Sequence, residues 1–433
     1  MITFIKNTIP IFIKQPLKYV FRGLFKFFTH NEIKKTREGQ SVLVDFLKKK
    51  EKIDVLFLLI HQSVWKCEEL YRLLDKENRF NVSIAIIPFV RGNQVDTHLY
   101  NSNIEYFKNN NYNIVDPYDS VDQRWIDIKE MMSPDIVFFT NPHKLTFDKY
   151  YIKHFRNTLT CYIPYTFDIT SNFDLQYNQN FHKSLWKFFV ETKYQYDFSQ
   201  MYSTFINNNV VVSGFIGLDH IFKKEYHSEN VWKICDYDTK KIIWAPHHTI
   251  EGQGSGLDYS CFLHYHQYFL DLLQNRDDIQ MAFKPHPLLK EKLYLDKEWG
   301  KERADNYYSK WDSLANGQLE EGNYCDLFFH SDAMILDSAS FTVEYLYFDK
   351  PSLFTLRDKN IEDRFNTFGC EVFSLQYKAN TSIEINKFIK ENVLNQKDSL
   401  RNKRNVFLQK TLNKDKKISA SQNIINKLNK ELN

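Results

Sequence analysis

Short runs that are apolar at nearly every position recur along this chain, and amphipathic stretches separate them. VLFLLI at Val55–Ile60 and SIAIIP at 83–88 are examples. A strand that is apolar on both faces must be covered on both, which is typical of a parallel sheet with helices on each side. Alternation of such strands with amphipathic stretches indicates βαβ units. The sequence therefore predicts an α/β fold built on parallel sheets.

The apolar runs fall into two groups. The strands of the first predicted unit are Val55–Ile60, Val82–Pro88, Ile136–Thr140 and Cys161–Pro164. A polar, aromatic-rich stretch near Lys183–Phe205 interrupts the pattern, which resumes with Val210–Ser213, Ile242–Pro246, Ile279–Pro285, Ala333–Asp337 and Ser352–Thr355. Because 433 residues exceed what one hydrophobic core usually supports, we predict two Rossmann-like domains that face a central cleft.

The domain limits are predicted at changes in this pattern. Residues 1–35 form a basic segment, 36–207 the first domain, 208–380 the second domain and 381–433 a set of C-terminal helices. The polar run Asn207–Asn209 is the predicted linker.

The amino-terminal segment has the pattern of a basic amphipathic helix. Basic residues follow each other in steps of four beside apolar residues at helical spacing: Lys14, Lys18, Arg22 and Lys26 beside Ile13, Leu17, Val20, Phe21, Leu24, Phe25 and Phe28. Such a helix can lie in the headgroup layer of an anionic membrane. The alternative is a helix that packs on the first domain.

Composition excludes several classes of protein. A net charge of +3 gives no reason to expect a nucleic-acid partner. The six cysteines are spread singly, which suits neither a disulfide scaffold nor a zinc knuckle and fits a reducing cytoplasm. We expect no membrane-spanning helix, since no stretch approaches twenty uninterrupted apolar residues. We expect no secretory signal either, because the amino terminus lacks a small-residue cleavage site after an apolar core.

The first candidate site segment is IIWAPHHT. Ligands of open α/β sheets bind beyond the carboxyl ends of the strands, and His247, His248 and Thr249 follow a predicted strand. Their imidazole and hydroxyl groups can donate hydrogen bonds to phosphate oxygens. The glycine-rich EGQGSG at 251–256 permits close approach of the backbone. The alternative is a flexible loop with solvated histidines.

The second candidate segment is KPHP, which follows the predicted strand Met281–Phe283. Prolines on both sides of His286 fix the backbone and so aim its side chain. Lys284 supplies a positive charge for a diphosphate, and His286 can donate to a phosphate oxygen or protonate a leaving phosphate. A structural turn is the alternative.

The third candidate segment runs from Asp337 to Ser340, between a predicted strand and a helix predicted from Phe341 to Tyr347. Ser338 and Ser340 lie where free N–H groups of a helix amino terminus can bind phosphate. Glu344 could bind the ribose hydroxyls of a nucleotide. The alternative is that Ser340 only caps the helix.

These segments, together with VSGFIGLDHI at Val212–Ile221, resemble the CDP-glycerol glycerophosphotransferase family, which builds teichoic-acid and related surface polymers. KPHP and the pattern of strand, DSAS, helix and KP are the most specific parts of the resemblance, which covers Val212 to Thr355 well. It implies a GT-B fold and transfer of an alditol phosphate from a CDP-linked donor to a hydroxyl. It also implies that Lys284, His286, Ser338 and Ser340 contact the donor diphosphate, opposite His247–Thr249.

The chain departs from the family pattern in two places. His247–His248–Thr249 stands where the family usually has a Trp–Arg pair, and YIPYTFD at Tyr162–Asp168 stands where it has a His–Gly motif. The acceptor hydroxyl needs a general base, and Asp168 and His61 are the two candidates because each follows a predicted strand of the first domain. Asp168 is preferred because it lies in the segment that replaces His–Gly.

No metal ion or other cofactor is expected. His264 and His266 together with His247 and His248 offer imidazoles, but no carboxylate or thiolate stands at ligand spacing. The predicted partners are a nucleotide-diphosphate donor, a lipid-linked or polysaccharide acceptor and an anionic membrane surface. We expect a position on the inner face of the bacterial cytoplasmic membrane.

Two other functions remain open. A GT-B glycosyltransferase of capsule or lipopolysaccharide synthesis would hold a nucleotide sugar in the same site, with attack on the anomeric carbon instead of phosphorus. A non-catalytic, membrane-associated scaffold of an assembly complex would not bind a nucleotide.

Overall fold

The computed structural model describes residues 30–92, 94–205, 208–236, 238–250, 259–322, 324–413 and 418–433. Most of the predicted basic amphipathic segment and the glycine-rich part of the loop after His248 lie outside the described residues. Among the described residues, no helix is both long and apolar enough to cross a membrane.

Strands recur through the first half of the chain, as the apolar runs predict. In chain order they are β1 (Ile53–Leu59), β2 (Phe80–Ile86), β3 (Val90–Arg91), β4 (Gln94–Val95), β5 (Ile114–Val115), β6 (Tyr118–Asp119), β7 (Arg124–Trp125), β8 (Ile136–Phe139), β9 (Leu159–Tyr162), β10 (Lys187–Val190) and β11 (Val210–Val212). Seven of them form one sheet in the order β11-β10-β9-β8-β1-β2-β5. Two short antiparallel pairs, β3 with β4 and β6 with β7, lie outside it.

A second parallel sheet follows. Its strands are β12 (Lys240–Ala245), β13 (Ile279–Phe283), β14 (Gly317–Leu319), β15 (Ala333–Leu336), β16 (Ser352–Thr355) and β17 (Tyr377–Ala379). Their order in the sheet is β14-β13-β12-β15-β16-β17. β13 and β15 are buried at every position, so their apolar runs reflect cover on both faces. The predicted fold, two Rossmann-like domains, is confirmed.

Helices connect and cover the two sheets. The described α-helices are α1 (30–47), α2 (Glu68–Lys76), α3 (Thr97–Asn109), α4 (Ile128–Met131), α5 (Phe173–Tyr177), α6 (Asn180–Ser184), α7 (Lys193–Tyr202), α8 (Phe262–Gln274), α9 (Leu289–Leu295), α10 (Gly300–Ser313), α11 (Cys325–His330), α12 (Phe341–Glu344), α13 (Thr367–Phe373), α14 (Ser382–Phe388), α15 (Arg401–Lys410) and α16 (Ala420–Leu432). α14 continues as a turn of π-helix over Ile389–Leu394.

One predicted strand was assigned to the wrong sheet. Val210–Ser213 was expected to open the second unit, but β11 pairs in parallel with β10 at the edge of the first sheet. The partner of β11 was not predicted, because β10 lies in the polar, aromatic-rich stretch near Lys183–Phe205. β10 has only four residues and begins with a lysine, so its sequence is a weak indication of a strand. Asn209, in the predicted linker, is buried, and its amide donates to two carbonyls of the first domain. The change of sheet therefore falls between β11 and β12.

The C-terminal region is helical, as predicted, but its last helix returns to the first domain. Ile424, Ile425 and Leu428 of α16 are buried in the same hydrophobic cluster as the strands β1 and β2. Asp219, in the segment that joins the two sheets, accepts hydrogen bonds from the N–H and hydroxyl of Ser421 at the start of α16. The chain therefore passes between the two domains twice, once after β11 and once before α16.

The two domains also contact each other directly. The rings of Phe167 and Phe368 stack at 5.9 Å, and Thr170 forms a β-bridge with Phe365. The amide of Asn366 donates to the carbonyl of Thr170 at 3.0 Å. These contacts close one side of the cleft.

Candidate active site

The middle of the second sheet brings the three candidate segments to one edge. β12 lies between β13 and β15, so the loops that follow these three strands are neighbours. The N–H of Lys284 donates to the carbonyl of Trp244 at 2.8 Å, and the N–H of His286 donates to that of Pro246 at 3.0 Å. These backbone bonds extend the pairing of β12 with β13 and hold KPHP beside His247.

Three imidazoles occupy the centre of this edge. The ring of His248 lies 4.3 Å from the rings of both His247 and His286, which are 5.2 Å apart. Burial lowers the pKa of His247 to about 3 and that of His248 to about 4. Burial also holds the pKa of His286 well below its ordinary value. All three are therefore neutral near pH 7.

Backbone hydrogen bonds decide which nitrogen of two of these rings carries the proton. The N–H of Leu288 donates to Nδ1 of His286 at 3.1 Å. Nδ1 of His247 lies 2.9 Å from the hydroxyl oxygen of Thr249 and accepts the N–H of the same residue at 3.4 Å. Because that hydroxyl already accepts the N–H of Tyr259, its own proton can be donated to Nδ1 of His247. A neutral imidazole that accepts at Nδ1 carries its proton at Nε2. His247 and His286 therefore offer two uncharged N–H donors, which suit the oxygens of a phosphate.

The three imidazoles are also close enough together to bind a metal ion. Nitrogens of His247, His248 and His286 lie within 4.8 Å of one another. A metal ion needs the lone pair of a neutral imidazole, but in His247 and His286 Nδ1 accepts a backbone N–H and Nε2 holds the proton. The cluster therefore fits an anion better than a cation. His264 and His266, the other imidazoles considered at this point, lie on or beside the turns of α8 and are not part of the cluster.

Lys284 is a buried ammonium next to the histidines. Its Nζ donates to the carbonyl of Gly322 at 2.8 Å, and only 5% of the residue is exposed. Within the described part of the chain it forms no ion pair. Burial lowers its pKa to about 8, Lys66 adds to the decrease, and two nearby glutamates oppose it. A buried cation without a counter-ion is costly, and an anionic ligand would remove that cost.

Asp337 positions this edge and does not face it. Its carboxylate accepts from the N–H of His247 at 2.5 Å and from the N–H of Cys261 at 2.6 Å. It thereby joins the ends of β12 and β15 to the start of α8. Both carboxylate oxygens of Asp337 are thus occupied by backbone N–H groups, so Ser338 and Ser340 are the residues of this turn that could contact a ligand.

Ser338 and Ser340 have hydroxyl oxygens 3.5 Å apart in this turn. The predicted helix after them is shorter than expected: α12 ends at Glu344 and passes into a 3-10 turn over Tyr345–Phe348. The hydroxyl of Ser340 makes no capping bond to α12. The capping alternative is thus not realised.

Glu344 lies on α12, as predicted, and its carboxylate contacts the first domain. Its Oε2 lies 3.6 Å from Nζ of Lys66, and the two side chains are 2% and 11% exposed. The hydroxyl of Tyr324 donates to the same carboxylate, and Lys66 donates to that hydroxyl. Because Lys66 belongs to the first domain, this is a buried ion pair across the cleft. In this arrangement Lys66 and Tyr324 hold the carboxylate, and its contact with ribose hydroxyls stays a prediction.

The first domain contributes two candidates from the ends of its central strands. Nδ1 of His61, after β1, accepts the N–H of Ser63 at 2.9 Å. Oδ1 of Asp168, after β9, accepts from the N–H and the hydroxyl of Thr170 at 3.1 and 2.8 Å. Burial raises the pKa of Asp168 to about 6. A carboxylate with that pKa is suited to accept a proton near neutral pH.

Asp168 lies at the seam between the domains. The amide of Asn366 donates to its backbone carbonyl at 3.2 Å. The Asp168 carboxylate is close enough to Tyr259 to raise the pKa of that hydroxyl further, beyond the main effect of burial. The Tyr259 ring in turn lies 5.7 Å from His247. Tyr259 is therefore near both the candidate base and the imidazole cluster.

Lys66 and Glu191 were not among the predicted site residues. Glu191 follows β10 directly, and burial raises its pKa to about 8, with a further increase from the nearby Asp168. The rule that polar residues after strands line the site would have found Glu191 if β10 had been predicted. No sequence signal pairs Lys66 with a residue of the other domain.

Comparison with known proteins decides the family. The family model of CDP-glycerol:poly(glycerophosphate) glycerophosphotransferase matches residues 171–430, more than half of the chain. The chain belongs to this family. The predicted resemblance is confirmed, and this glycerophosphotransferase family member is a transferase enzyme. No curated protein sequence matches the chain.

Solved structures agree on the fold. The wall teichoic acid polymerase TagF is 12% identical with a TM-score of 0.56, over 95% of this chain and 97% of TagF. A UDP complex of MnaA from S. aureus is 14% identical with a TM-score of 0.53, over 88% and 97% of the two chains. The UDP-GlcNAc 2-epimerase of Neisseria meningitidis, bound to UDP-GlcNAc, is 15% identical with a TM-score of 0.51, over 88% and 100%. At these identities the likeness shows the GT-B fold.

Proposed function

We propose that this family member transfers an alditol phosphate from a CDP-linked donor of the CDP-glycerol type to a hydroxyl of a lipid-linked or glycan acceptor, in the synthesis of a teichoic-acid-like or capsule polymer. The main support is the buried ammonium of Lys284, which forms no ion pair with any described residue and lies beside two imidazole N–H donors. This combination fits a diphosphate, and the family model names the donor class.

The proposed reaction is a direct displacement at phosphorus. The acceptor oxygen forms a bond to the phosphorus that carries the alditol, the bond from that phosphorus to the bridging oxygen breaks, and CMP leaves. Asp168 takes the proton of the acceptor hydroxyl. Charge that develops on CMP is stabilised by Lys284, His247 and His286, with Ser338 and Ser340 beside them.

His286 acts in this proposal as a hydrogen-bond donor. The sequence allowed it to protonate the leaving phosphate, which would require an imidazolium. Burial keeps the pKa of His286 far below its ordinary value, so the ring is neutral and donates from Nε2 without giving up its proton. No metal ion or other cofactor is invoked in this step.

A panel of donors tests the proposal. The full chain is incubated with membrane lipid acceptor and, separately, CDP-glycerol, CDP-ribitol and several nucleotide sugars. We expect release of CMP from a CDP-alditol. Release of a nucleoside diphosphate from a nucleotide sugar would establish the glycosyltransferase alternative instead. A folded protein that releases nothing from any donor would support the scaffold alternative and contradict the proposed transfer.

We also propose that the amino-terminal region places the enzyme on an anionic membrane. Support comes from the basic amphipathic pattern and from α1, whose Val42 and Phe46 side chains are 71% and 63% exposed. The full chain should sediment with vesicles that contain an anionic phospholipid and stay in solution with neutral ones. Val42→Ser/Phe46→Ser should weaken this sedimentation, and equal sedimentation with both vesicle types would contradict the proposal.

A further inference from the structure

We propose that His61 binds the donor diphosphate from the first domain through its Nε2–H, and that it is not the general base. The inference deepens the proposed function and rests on it. It assigns an anion-binding role to a residue on the side of the cleft that was expected to serve the acceptor.

The first support is a repeated local geometry. His61, His247 and His286 each follow the end of a strand, and in each the Nδ1 atom accepts the backbone N–H of the residue two positions later. These N–H groups belong to Ser63 at 2.9 Å, Thr249 at 3.4 Å and Leu288 at 3.1 Å. The same bond therefore fixes the same tautomer in both domains.

The tautomer excludes the role of base for the ring as it stands. A neutral imidazole with an accepting Nδ1 holds its proton at Nε2 and has no lone pair there. To accept a proton at Nε2, His61 would have to break its bond with Ser63 and move its proton. Burial lowers the pKa of His61, although Asp96 and Glu291 partly oppose this shift. The ring is thus an uncharged donor near pH 7.

The second support is the position of His61. It is close enough to the imidazole cluster that its charge contributes to the low pKa of His286, after the main effect of burial and the effects of His247, His248 and Lys284. Nearby, Nη1 of Arg91 in the first domain lies 3.1 Å from Oε2 of Glu291 on α9, so the two domains meet at this point. His61 therefore stands on the first-domain side of the place where the two domains meet beside the imidazole cluster.

This arrangement would couple anion binding to closure of the cleft. His247, His286 and Lys284 belong to the second domain, whereas His61 belongs to the first. A diphosphate held by all four is bound fully only when the domains are together. His61 thus adds affinity and favours the closed form without adding a charge.

The test compares three substitutions of His61. Glutamine places an amide N–H near the position of imidazole Nε2, whereas asparagine is too short and alanine has no donor. We expect His61→Gln to keep affinity for CDP and inorganic pyrophosphate within about threefold of the wild type. His61→Ala and His61→Asn should lose about 10- to 100-fold, the effect of one hydrogen bond to a charged group. His98→Ala, on the exposed face of α3, is the matched control.

Calorimetric titration with pyrophosphate, CDP and UDP keeps this test separate from the identity of the donor. If the enzyme uses a nucleotide sugar, the proposed function fails but the loss in His61→Ala remains measurable. Equal affinity in wild type and His61→Ala, with unchanged melting temperatures, would overturn the inference. So would a His61→Gln variant that binds all three probes normally but has lost the rise of turnover with pH, since that result would make His61 the base.

Discussion

Replacing Lys284 with methionine is expected to weaken donor binding strongly in a protein that is as stable as the wild type or more stable. The ammonium is buried and forms no ion pair within the described residues, so the free enzyme bears its desolvation cost. Methionine has a similar length and removes that cost, which should leave the free energy of unfolding unchanged or raise it by about 1–3 kcal/mol. The bound diphosphate, in contrast, loses its ion pair with the ammonium that follows β13.

We expect kcat/KM for the donor to fall by about 10²- to 10³-fold in Lys284→Met, the usual effect of removing one preorganised charge from an oxyanion. Steady-state kinetics and thermal melts of the same preparation measure the two effects. Lys301→Met, at a side chain that is 74% exposed, is the control. A variant that melts well below the wild type, or one that binds donor normally, would contradict the role given to Lys284.

Asp168→Asn is expected to lower kcat by about 10²- to 10⁴-fold, because the acceptor hydroxyl loses its base. Asparagine keeps the Oδ1 atom that accepts from Thr170, so the loop should stay in place. The exposed Asp174→Asn on α5 controls for the loss of a charge. Normal turnover in Asp168→Asn would exclude this residue as the base and direct attention to Glu191, its neighbour in the first domain.

The pH dependence of kcat/KM in the wild-type enzyme tests the roles of Asp168 and Lys284 independently. Burial raises the pKa of Asp168 to about 6, and the base must be deprotonated, so kcat/KM should fall as pH decreases through about 6. Burial lowers the pKa of Lys284 to about 8, and the cation must be protonated, so kcat/KM should also fall as pH rises through about 8. Asp168→Asn should lose the first limb and Lys284→Met the second.

The strand ends could be predicted because their signals are local. A strand buried on both faces must be apolar throughout, so Ile279–Phe283 and Ala333–Leu336 are visible in the sequence, and the residues after them follow at once. The sequence alone therefore predicts four site residues: Lys284, His286, Ser338 and Ser340.

The missed features depend on distant parts of the chain. The ion pair of Lys66 with Glu344 joins residues from different domains, and its existence depends on how the domains meet. β10 is short and begins with a lysine, so only its neighbours in the sheet identify it. The role of His61 depends on a backbone N–H that reaches Nδ1 of its ring, and neither residue type nor spacing reveals such a bond.

A crystal structure of the protein with CDP-glycerol, solved with enough detail to place the diphosphate, would show directly whether the donor binds at this edge of the second sheet. We expect phosphate oxygens within hydrogen-bonding distance of Nζ of Lys284 and of Nε2 of His247 and His286, with no metal ion between them. A diphosphate bound elsewhere in the protein, or a metal ion held by the three imidazoles, would contradict this expectation.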